Sequence, residues 1–198
     1  MSGPYDLAIV GASWGGLHAL TALVRALPED FALPLAIIQH RSRDAGALLG
    51  ELLQDHTSHP VREAEDKEPF CPGCIYVAPP DYHLLIERDH FGLSLEEAVR
   101  YSRPSIDVAF ASAAETCGAR VVGVVLTGAN ADGAEGLQRI IARGGLGFIQ
   151  RPDEAECPIM PEAAIKASPK ASVLSIAEIA SRLASLKAAL TSATPNAS

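Results

Sequence analysis

Short apolar runs alternate along the chain with longer segments in which apolar residues recur at helical spacing. The runs occupy residues 5–11, 33–39, 120–126 and 146–150, with a shorter one at 171–174. An apolar run without polar interruption is typical of a strand that is buried on both faces of a parallel sheet. We therefore predict that these segments form the strands of one mostly parallel sheet.

Helical periodicity fills the intervals between the runs. The first such segment starts at Gly16 and ends before Pro28, and a later one ends at Gly144 and Gly145; these residues are common at helix ends. Helices are predicted over residues 16–27, 44–54, 105–117, 133–143, 161–167 and 176–190. The alternation of strand and helix predicts a single doubly wound α/β domain.

The middle of the chain follows a different pattern. Residues 75–78, 84–87 and 91–95 form short apolar stretches separated by turn residues. This spacing is typical of hairpins, so we predict a short antiparallel region beside the main sheet. The last residues, 191–198, are small and polar and are expected to fray, which sets the predicted domain at 1–190.

Composition and charge narrow the choice of function. The 198-residue chain is 48% hydrophobic and 20% charged, with a net charge of −8. Such a chain can form a folded core, and its negative charge argues against binding to nucleic acid or anionic membranes. No apolar run approaches the roughly 20 residues of a membrane span, and no basic region precedes an apolar stretch at the N-terminus. We therefore expect a cytoplasmic protein whose four cysteines are mostly reduced.

Three polar residues follow predicted strands of the parallel sheet. Ser13 comes after the first strand, His40 after the second and Asp132 after the strand at 120–126. Ligands of open α/β sheets bind beyond the carboxyl ends of the strands. A buried sheet does not require polar residues there, so we interpret these three as candidates for chemistry.

Ser13 lies in the sequence GASWGG at 11–16, which matches the G-x-S-x-G pattern of a nucleophile elbow. The small flanking residues permit a sharp turn, and the amides after Ser13 would point from a helix N-terminus toward the reacting group. The alternative is a glycine-rich turn that binds phosphate, with Ser13 as a helix cap. The segment lacks the G-x-G-x-x-G spacing, which weakens the nucleotide-binding version of that alternative.

His40 and Asp132 are the residue types that a serine hydrolase needs beside its nucleophile. His40 ends the next strand and is placed to take the Ser13 proton as general base. Asp132 would accept the other imidazole N–H, although it could instead be the N-cap of the helix at 133–143. The order Ser, His, Asp differs from the Ser, Asp, His order of α/β-hydrolases, so we do not expect that fold.

Five separated segments carry a resemblance to a known family. They read AIVGASWGGLHAL, LAIIQHRS, VREAEDKEP…IYVAPPDYHLL, SRPSIDVAF and VVGVVLTGANADGAEGL. In this order they resemble the catalytic domain of bacterial chemotaxis protein-glutamate methylesterases, the CheB family, from about Tyr5 to the last predicted helix. The resemblance implies a Rossmann-like three-layer α/β/α fold.

The resemblance also implies an activity and its residues. Members hydrolyse glutamate γ-methyl esters on chemoreceptor helices and release methanol, and many deamidate receptor glutamines, without a metal or organic cofactor. By motif position, the family's nucleophile, base and carboxylate fall on Ser13, His40 and Asp132. Its oxyanion-hole amides fall on the backbones of Trp14 and Ala129.

The chain departs from the family pattern beside the nucleophile and in one turn. The residue after the nucleophile is usually small and polar but is Trp14 here, and the T-G-M-G-x-D-G turn has Ala129 and Asn130 in place of methionine and glycine. Backbone amides do not depend on side-chain identity, so we expect these changes to alter substrate specificity more than reaction class.

Typical members of the family also carry an N-terminal receiver domain that blocks the site until phosphorylated. This chain begins at the first catalytic strand, which leaves its regulation open.

Other motifs support weaker predictions. The C-P-G-C sequence at 71–74 lies where the family has a turn that enters a short strand. The alternative is a redox or zinc role, but zinc would need two more ligands and none lies nearby. Arg41 and Arg43 either belong to a solvated loop or lower the pKa of His40 and meet an acidic receptor surface. Four histidines are placed in polar turns without a metal pattern: His56, His59, His83 and His90.

Two alternatives to a hydrolase come from other classes of protein. One is a catalytically silent module that binds receptors, which the unusual Trp14 motivates. The other is a nucleotide-binding Rossmann domain.

The SRPSID segment contains three further polar residues, Arg103, Ser105 and Asp107. These residues either line the substrate cleft or start a helix.

Overall fold

The computed structural model describes residues 4–40, 48–99 and 101–188. The strands in these ranges are β1 (Leu7–Ala12), β2 (Leu35–Gln39), β3 (Val61–Glu63), β4 (Ile75–Val77), β5 (His83–Ile86), β6 (Phe91–Ser94), β7 (Val121–Val125), β8 (Leu146–Gln150) and β9 (Ser172–Leu174). The α-helices are α1 (Gly16–Arg25), α2 (Leu48–Gln54), α3 (Ile106–Cys117), α4 (Ala134–Ala142), α5 (Ile159–Ala167) and α6 (Ile176–Ala184).

The main sheet has the strand order β3-β4-β2-β1-β7-β8-β9, and every neighbouring pair is parallel. β5 and β6 form a separate antiparallel hairpin. β1 lies at the centre of the main sheet, with β2 and β7 on its two sides. The carboxyl ends of these three strands are therefore neighbours at one edge of the sheet.

Helices cover both faces of the sheet and create two apolar layers. In β1, Leu7 and Ile9 face the layer that contains α3, α4, α5 and the hairpin, whereas Ala8 and Val10 face the layer that contains α1, α2 and α6. Because side chains alternate between the faces of a strand and both faces are buried here, the strand sequences are apolar without interruption. The result is a three-layer α/β/α arrangement.

The structure confirms the predicted fold class and corrects the prediction for the middle of the chain. β4 lies inside the parallel sheet between β2 and β3, so the prediction that residues 75–78 belong to an antiparallel region is wrong. β5 and β6 are the antiparallel pair. β3 was not predicted, because its three residues, VRE, contain no apolar run.

Helix ends differ from the sequence pattern by a few residues. α6 begins with a capping box between Ser175 and Glu178 and ends at Ala184, short of the predicted residue 190. α5 begins at Ile159, before the predicted residue 161. Residues 44–47 of one predicted helix and the predicted tail lie outside the described residues, so the domain limits stay a prediction. Within the described ranges, no helix is long and apolar enough to cross a bilayer.

α3 and α4 approach each other closely at their first turns. A Cβ atom added to Gly136 would lie 2.5 Å from the Cβ of Phe110, so α4 has no room for a side chain at this position. The Gly136 N–H donates a 2.7 Å hydrogen bond to Oδ1 of Asp107 in the first turn of α3. The two helices therefore meet through one glycine and one carboxylate.

Gly136→Ala should destabilise the protein by about 1–3 kcal/mol, because the added methyl group cannot be accommodated without moving α3. Gly50→Ala is the matched control. A Cβ atom at Gly50, in α2, would have no neighbour within 4 Å among the described residues, so this variant should gain roughly 0.5–1 kcal/mol from helix propensity alone. Urea unfolding of both variants measures the two effects, and a Gly136→Ala variant as stable as wild type would contradict the close approach.

Asp107 should make stability depend on pH. Burial raises the pKa of Asp107 to about 6, and the nearby Asp132 carboxylate adds to this effect. The folded protein therefore keeps this proton to a higher pH than the unfolded chain, where the pKa is about 4. The stability contributed by the protonated form is lost as the pH rises through this window.

Asp107→Asn removes this titration, so the stability of the variant relative to wild type should increase from pH 4 to pH 7. The exposed Asp30→Asn variant is the control for charge removal alone. Urea unfolding at several pH values measures the difference. A relative stability of Asp107→Asn that does not change with pH, or that decreases as the pH rises, would refute the assignment.

Candidate active site

Ser13, His40 and Asp132 converge at the carboxyl edge of the sheet. Nδ1 of His40 lies 3.1 Å from Oγ of Ser13, and Nε2 of His40 lies 2.8 Å from Oδ2 of Asp132. The first two residues directly follow β1 and β2, and Asp132 ends the loop between β7 and α4. The three side chains form a continuous chain of hydrogen bonds from the partly exposed hydroxyl of Ser13 to the buried carboxylate of Asp132.

The turn after β1 presents the hydroxyl of Ser13 at the end of the sheet. Two glycines permit the packing around it. A Cβ atom on Gly11 would lie 2.4 Å from Cγ2 of Ile106, and one on Gly128 would lie 2.9 Å from Cβ of Ser13. The N-cap of α1 is Gly15, at φ 75°, and no side chain caps this helix. Ser13 is therefore not the helix cap that the alternative interpretation proposed.

His40 has a defined ring orientation. Because the Asp132 carboxylate can only accept, Nε2 must carry the proton of that hydrogen bond, which leaves Nδ1 able to accept from Ser13. The side-chain amide of Gln39 donates to the backbone oxygens of both Ser13 and His40, each at 2.9 Å. This amide therefore links the two chain segments that carry the hydroxyl and the ring.

Asp132 is fully buried and accepts five hydrogen bonds. Oδ2 accepts from the amide of Ile106 at 2.8 Å and from His40, and Oδ1 accepts from the Asp107 amide (2.9 Å), the Ser105 hydroxyl (3.1 Å) and the Gly133 amide (3.1 Å). Burial alone would raise the pKa of Asp132, but the hydrogen bonds from His40 and the amides outweigh it and lower the pKa. The carboxylate therefore stays ionised.

These contacts change the alternative role considered for Asp132. The N-cap of α4 is Gly133, which makes no side-chain cap, so Asp132 does not cap the helix that follows it. Its carboxylate instead accepts from the first amides of α3, where a negative charge is favourable. The helix dipole of α3 and the imidazole thus stabilise the same carboxylate.

The SRPSID segment contacts the site on the side of the Asp132 carboxylate. Ser105 is the N-cap of α3, with Oγ accepting from the Val108 amide at 3.4 Å, and it also donates to Asp132. Arg103 forms an ion pair with Asp81 at 2.7 Å and donates to the backbone oxygens of Leu95 and Glu96. The segment therefore starts a helix, as one of the two predictions stated.

Sequence reasoning missed the part that His83 plays. The prediction of a polar turn is wrong for this residue, which begins β5 and is 1% exposed. Its Nδ1 accepts from the Ser105 amide at 3.2 Å, and its Nε2 donates to the Glu97 oxygen at 3.1 Å. The only signal in the sequence was the apolar run of residues 84–87 that directly follows it.

The backbone amides of Trp14 and Ala129, to which the family resemblance assigns the oxyanion hole, have no acceptor among the residues that the structure describes. Their loops are nevertheless held in place. The Trp14 oxygen accepts from the Thr127 hydroxyl at 2.9 Å, and Asn130 Oδ1 accepts from the Asp132 amide at 3.0 Å. The asparagine that replaces a glycine of the family pattern thus closes the turn with its side chain.

The C-P-G-C motif contributes no group to this chain of hydrogen bonds. Cys71 and Cys74 are free thiols at the ends of a turn closed by a 3.2 Å hydrogen bond from the Cys74 amide to the Cys71 oxygen. Among the described residues, no group of three or more histidine, cysteine or acidic side chains could hold a metal ion. Arg41 and Arg43 lie outside the described residues, so their effect on His40 stays a prediction.

Comparison with known proteins gives a consistent result. The sequence model of the family described as CheB methylesterase matches residues 8–183. A Leptospira interrogans protein is 43% identical over 177 residues, 89% of this chain and 92% of that protein; its name, provisionally assigned, is protein-glutamate methylesterase/protein-glutamine glutaminase. The protein-glutamate methylesterase FrzG of Myxococcus xanthus is 37% identical, and the match spans 91% of this chain and 54% of FrzG.

A solved structure agrees with the sequence matches. The catalytic domain of the Thermotoga maritima CheB methylesterase superposes with a TM-score of 0.87 at 27% identity, covering 92% of this chain and 98% of that domain. The agreement therefore extends from the sequence to the arrangement of strands and helices. The chain belongs to the CheB methylesterase family.

Proposed function

We propose that this protein hydrolyses γ-methyl esters of glutamate side chains in chemoreceptors, with Ser13 as nucleophile, His40 as general base and Asp132 as the carboxylate that orients it. The observation that carries the proposal is the hydrogen-bonded line of these residues, with contacts of 3.1 Å and 2.8 Å. Family membership and the names of the relatives favour this function over a silent binding module or a nucleotide-binding domain.

In the first half of the reaction, His40 Nδ1 takes the Ser13 proton while Oγ forms a bond to the γ-carbonyl carbon of the ester. The carbonyl oxygen becomes an oxyanion, and the amides of Trp14 and Ala129 are the donors that would receive it. Removal of one such donor in other enzymes costs about 10²–10³ in rate. The imidazolium then gives its proton to the departing methoxide, which leaves as methanol.

In the second half, water takes the place of methanol. His40 removes a proton from the water as it attacks the acyl-enzyme, and the same proton returns to Ser13 Oγ when glutamate is released. A glutamine side chain gives the same acyl-enzyme with ammonia as the leaving group. The glutaminase activity in the names of the relatives therefore needs no additional residue.

Asp132 supplies the electrostatic part of this mechanism. Because hydrogen bonds lower its pKa, the carboxylate remains charged while the adjacent imidazole gains and loses a proton. It accepts four hydrogen bonds besides that of His40, so it has little freedom to rotate. A fixed charge of this kind stabilises the imidazolium without reorganisation during the reaction.

The substrate and location follow from the same assignment. Chemoreceptor helices are the proposed substrate, and the cytoplasm is the location that we propose for the enzyme. A helical substrate requires an accessible nucleophile, and Ser13 is partly exposed.

Ser13→Ala should reduce methanol release from a methylated chemoreceptor fragment by at least about 10³-fold, because no other group replaces the attacking oxygen. Gas chromatography of the released methanol measures the rate. Ser181→Ala, at an exposed position in α6, is the matched control and should retain full activity.

Release that persists in Ser13→Ala would contradict the assignment of the nucleophile. A wild-type protein that binds the fragment without releasing methanol would instead support the silent binding module. A known methylesterase assayed in parallel shows that the fragment is competent, so each of these outcomes has one interpretation.

A further inference from the structure

An apolar rim, formed by Trp14, Leu17 and Ile159, borders the nucleophile. The exposed fractions of these residues are 67%, 43% and 50%. Large apolar side chains that are exposed close together mark interaction sites, whereas isolated ones are common on any surface. Tryptophan is also enriched among the residues that contribute most to binding energy.

The rim lies on two loops that contact each other. A Cβ atom added to Gly15 would lie 2.6 Å from the Cβ of Glu156, so the turn after Ser13 packs directly on the segment before α5. Thr127 Oγ1 lies within hydrogen-bond distance of the Trp14 oxygen (2.9 Å) and the Cys157 oxygen (3.2 Å), which joins the same two segments. Leu17 follows Trp14 by three residues and lies in the first turn of α1.

The nucleophile lies close to both loops that carry the rim. Trp14 follows Ser13 in the chain. The link to the second loop runs through Gly128: a Cβ atom there would lie 2.9 Å from Ser13 Cβ and 2.7 Å from Sδ of Met160, which follows Ile159. The Met160 amide also donates to the Gly128 oxygen at 2.9 Å. A protein segment that brings an ester to Ser13 therefore passes over exposed apolar surface.

We propose that the apolar rim binds a large apolar side chain of the substrate, located one helical turn from the esterified glutamate. This inference rests on the proposed function. Cβ atoms three or four residues apart on a helix are about 5–6 Å apart, and consecutive Cα atoms of the enzyme are about 3.8 Å apart. When the ester reaches Ser13, a side chain one turn away is thus close enough to contact the next residue of the enzyme, Trp14.

The cavity next to these loops does not offer an alternative place for such a side chain. It measures about 140 Å³ and is lined in part by His18, Thr127, Gln150 and Glu156. Ligand pockets usually measure about 300–1,000 Å³ and are mostly apolar. Because this cavity is smaller than a usual ligand pocket, an apolar substrate side chain gains more from the exposed rim.

A double-mutant cycle between enzyme and substrate tests the proposal. Two methylated chemoreceptor fragments carry either leucine or alanine one helical turn from the ester, and kcat/KM for methanol release is measured with wild type and Trp14→Ala. Leucine should be preferred about tenfold by wild type, which corresponds to the burial of one such side chain. The preference should fall to about twofold or less in Trp14→Ala.

The coupling between the two substitutions is the readout, because Trp14 also contributes a backbone amide and its replacement changes the rate by itself. Val173→Ala, at a 40% exposed position on the edge strand β9, is the control and should keep the tenfold preference. Ile159→Ser repeats the cycle at the other loop of the rim and should also reduce the preference.

An equal preference for leucine in wild type, Trp14→Ala and Ile159→Ser would overturn the role of the rim and leave the methylesterase assignment intact. The absence of any preference in wild type would overturn it equally. A wild-type protein that releases methanol from neither fragment, although a known methylesterase does, would overturn the proposed function and this inference with it.

Discussion

The site depends on the carboxylate of Asp132, which is buried away from water and accepts five hydrogen bonds within the protein. Asp132 would be costly to bury without partners, and its partners come from three places: the imidazole of His40, the start of α3 and the turn before α4. The loop after β7, the helix α3 and the end of β2 are therefore tied to one another through a single side chain. A rotation of this carboxylate would break contacts in all three.

The second constraint is the space around the strand ends. Gly11 and Gly128 allow Ile106 and Ser13 to approach the backbone more closely than any Cβ atom would permit. The close approach brings the start of α3 over the end of β1, where its first amides reach Asp132. The positions that need a small residue and the positions that bind the carboxylate are therefore close together. They lie in the motifs that carry the family resemblance.

Much of the fold follows from the sequence because buried parallel strands have an apolar signature on both faces. β2, β7 and β8 are evident from their sequences alone, and the order of strands and helices predicts the sheet. β3 and the place of β4 are not evident, since a short edge strand has no such signature and three residues do not distinguish a parallel pair from a hairpin. The order of segments along the chain also does not show which strands are neighbours in the sheet.

The same distinction applies to the site. Ser13, His40 and Asp132 were predicted as a set because each follows a strand, and the structure brings them together. The roles of Ser105 and His83 could not be predicted, because a serine before a helix and a histidine before an apolar run have ordinary structural explanations. Only the fold shows that Ser105 contacts this carboxylate and His83 contacts Ser105, and only the fold brings the loops that carry Trp14 and Ile159 close to Ser13.

The most direct test of the account is the reaction of the protein with a fluorophosphonate, followed by mass spectrometry of the labelled peptide. If Asp132 and His40 activate Ser13, wild type is labelled at Ser13 alone, and Asp132→Asn reacts roughly 10³-fold more slowly. Labelling at another residue, or equal rates in wild type and Asp132→Asn, would contradict the claim that the buried carboxylate makes this serine a nucleophile.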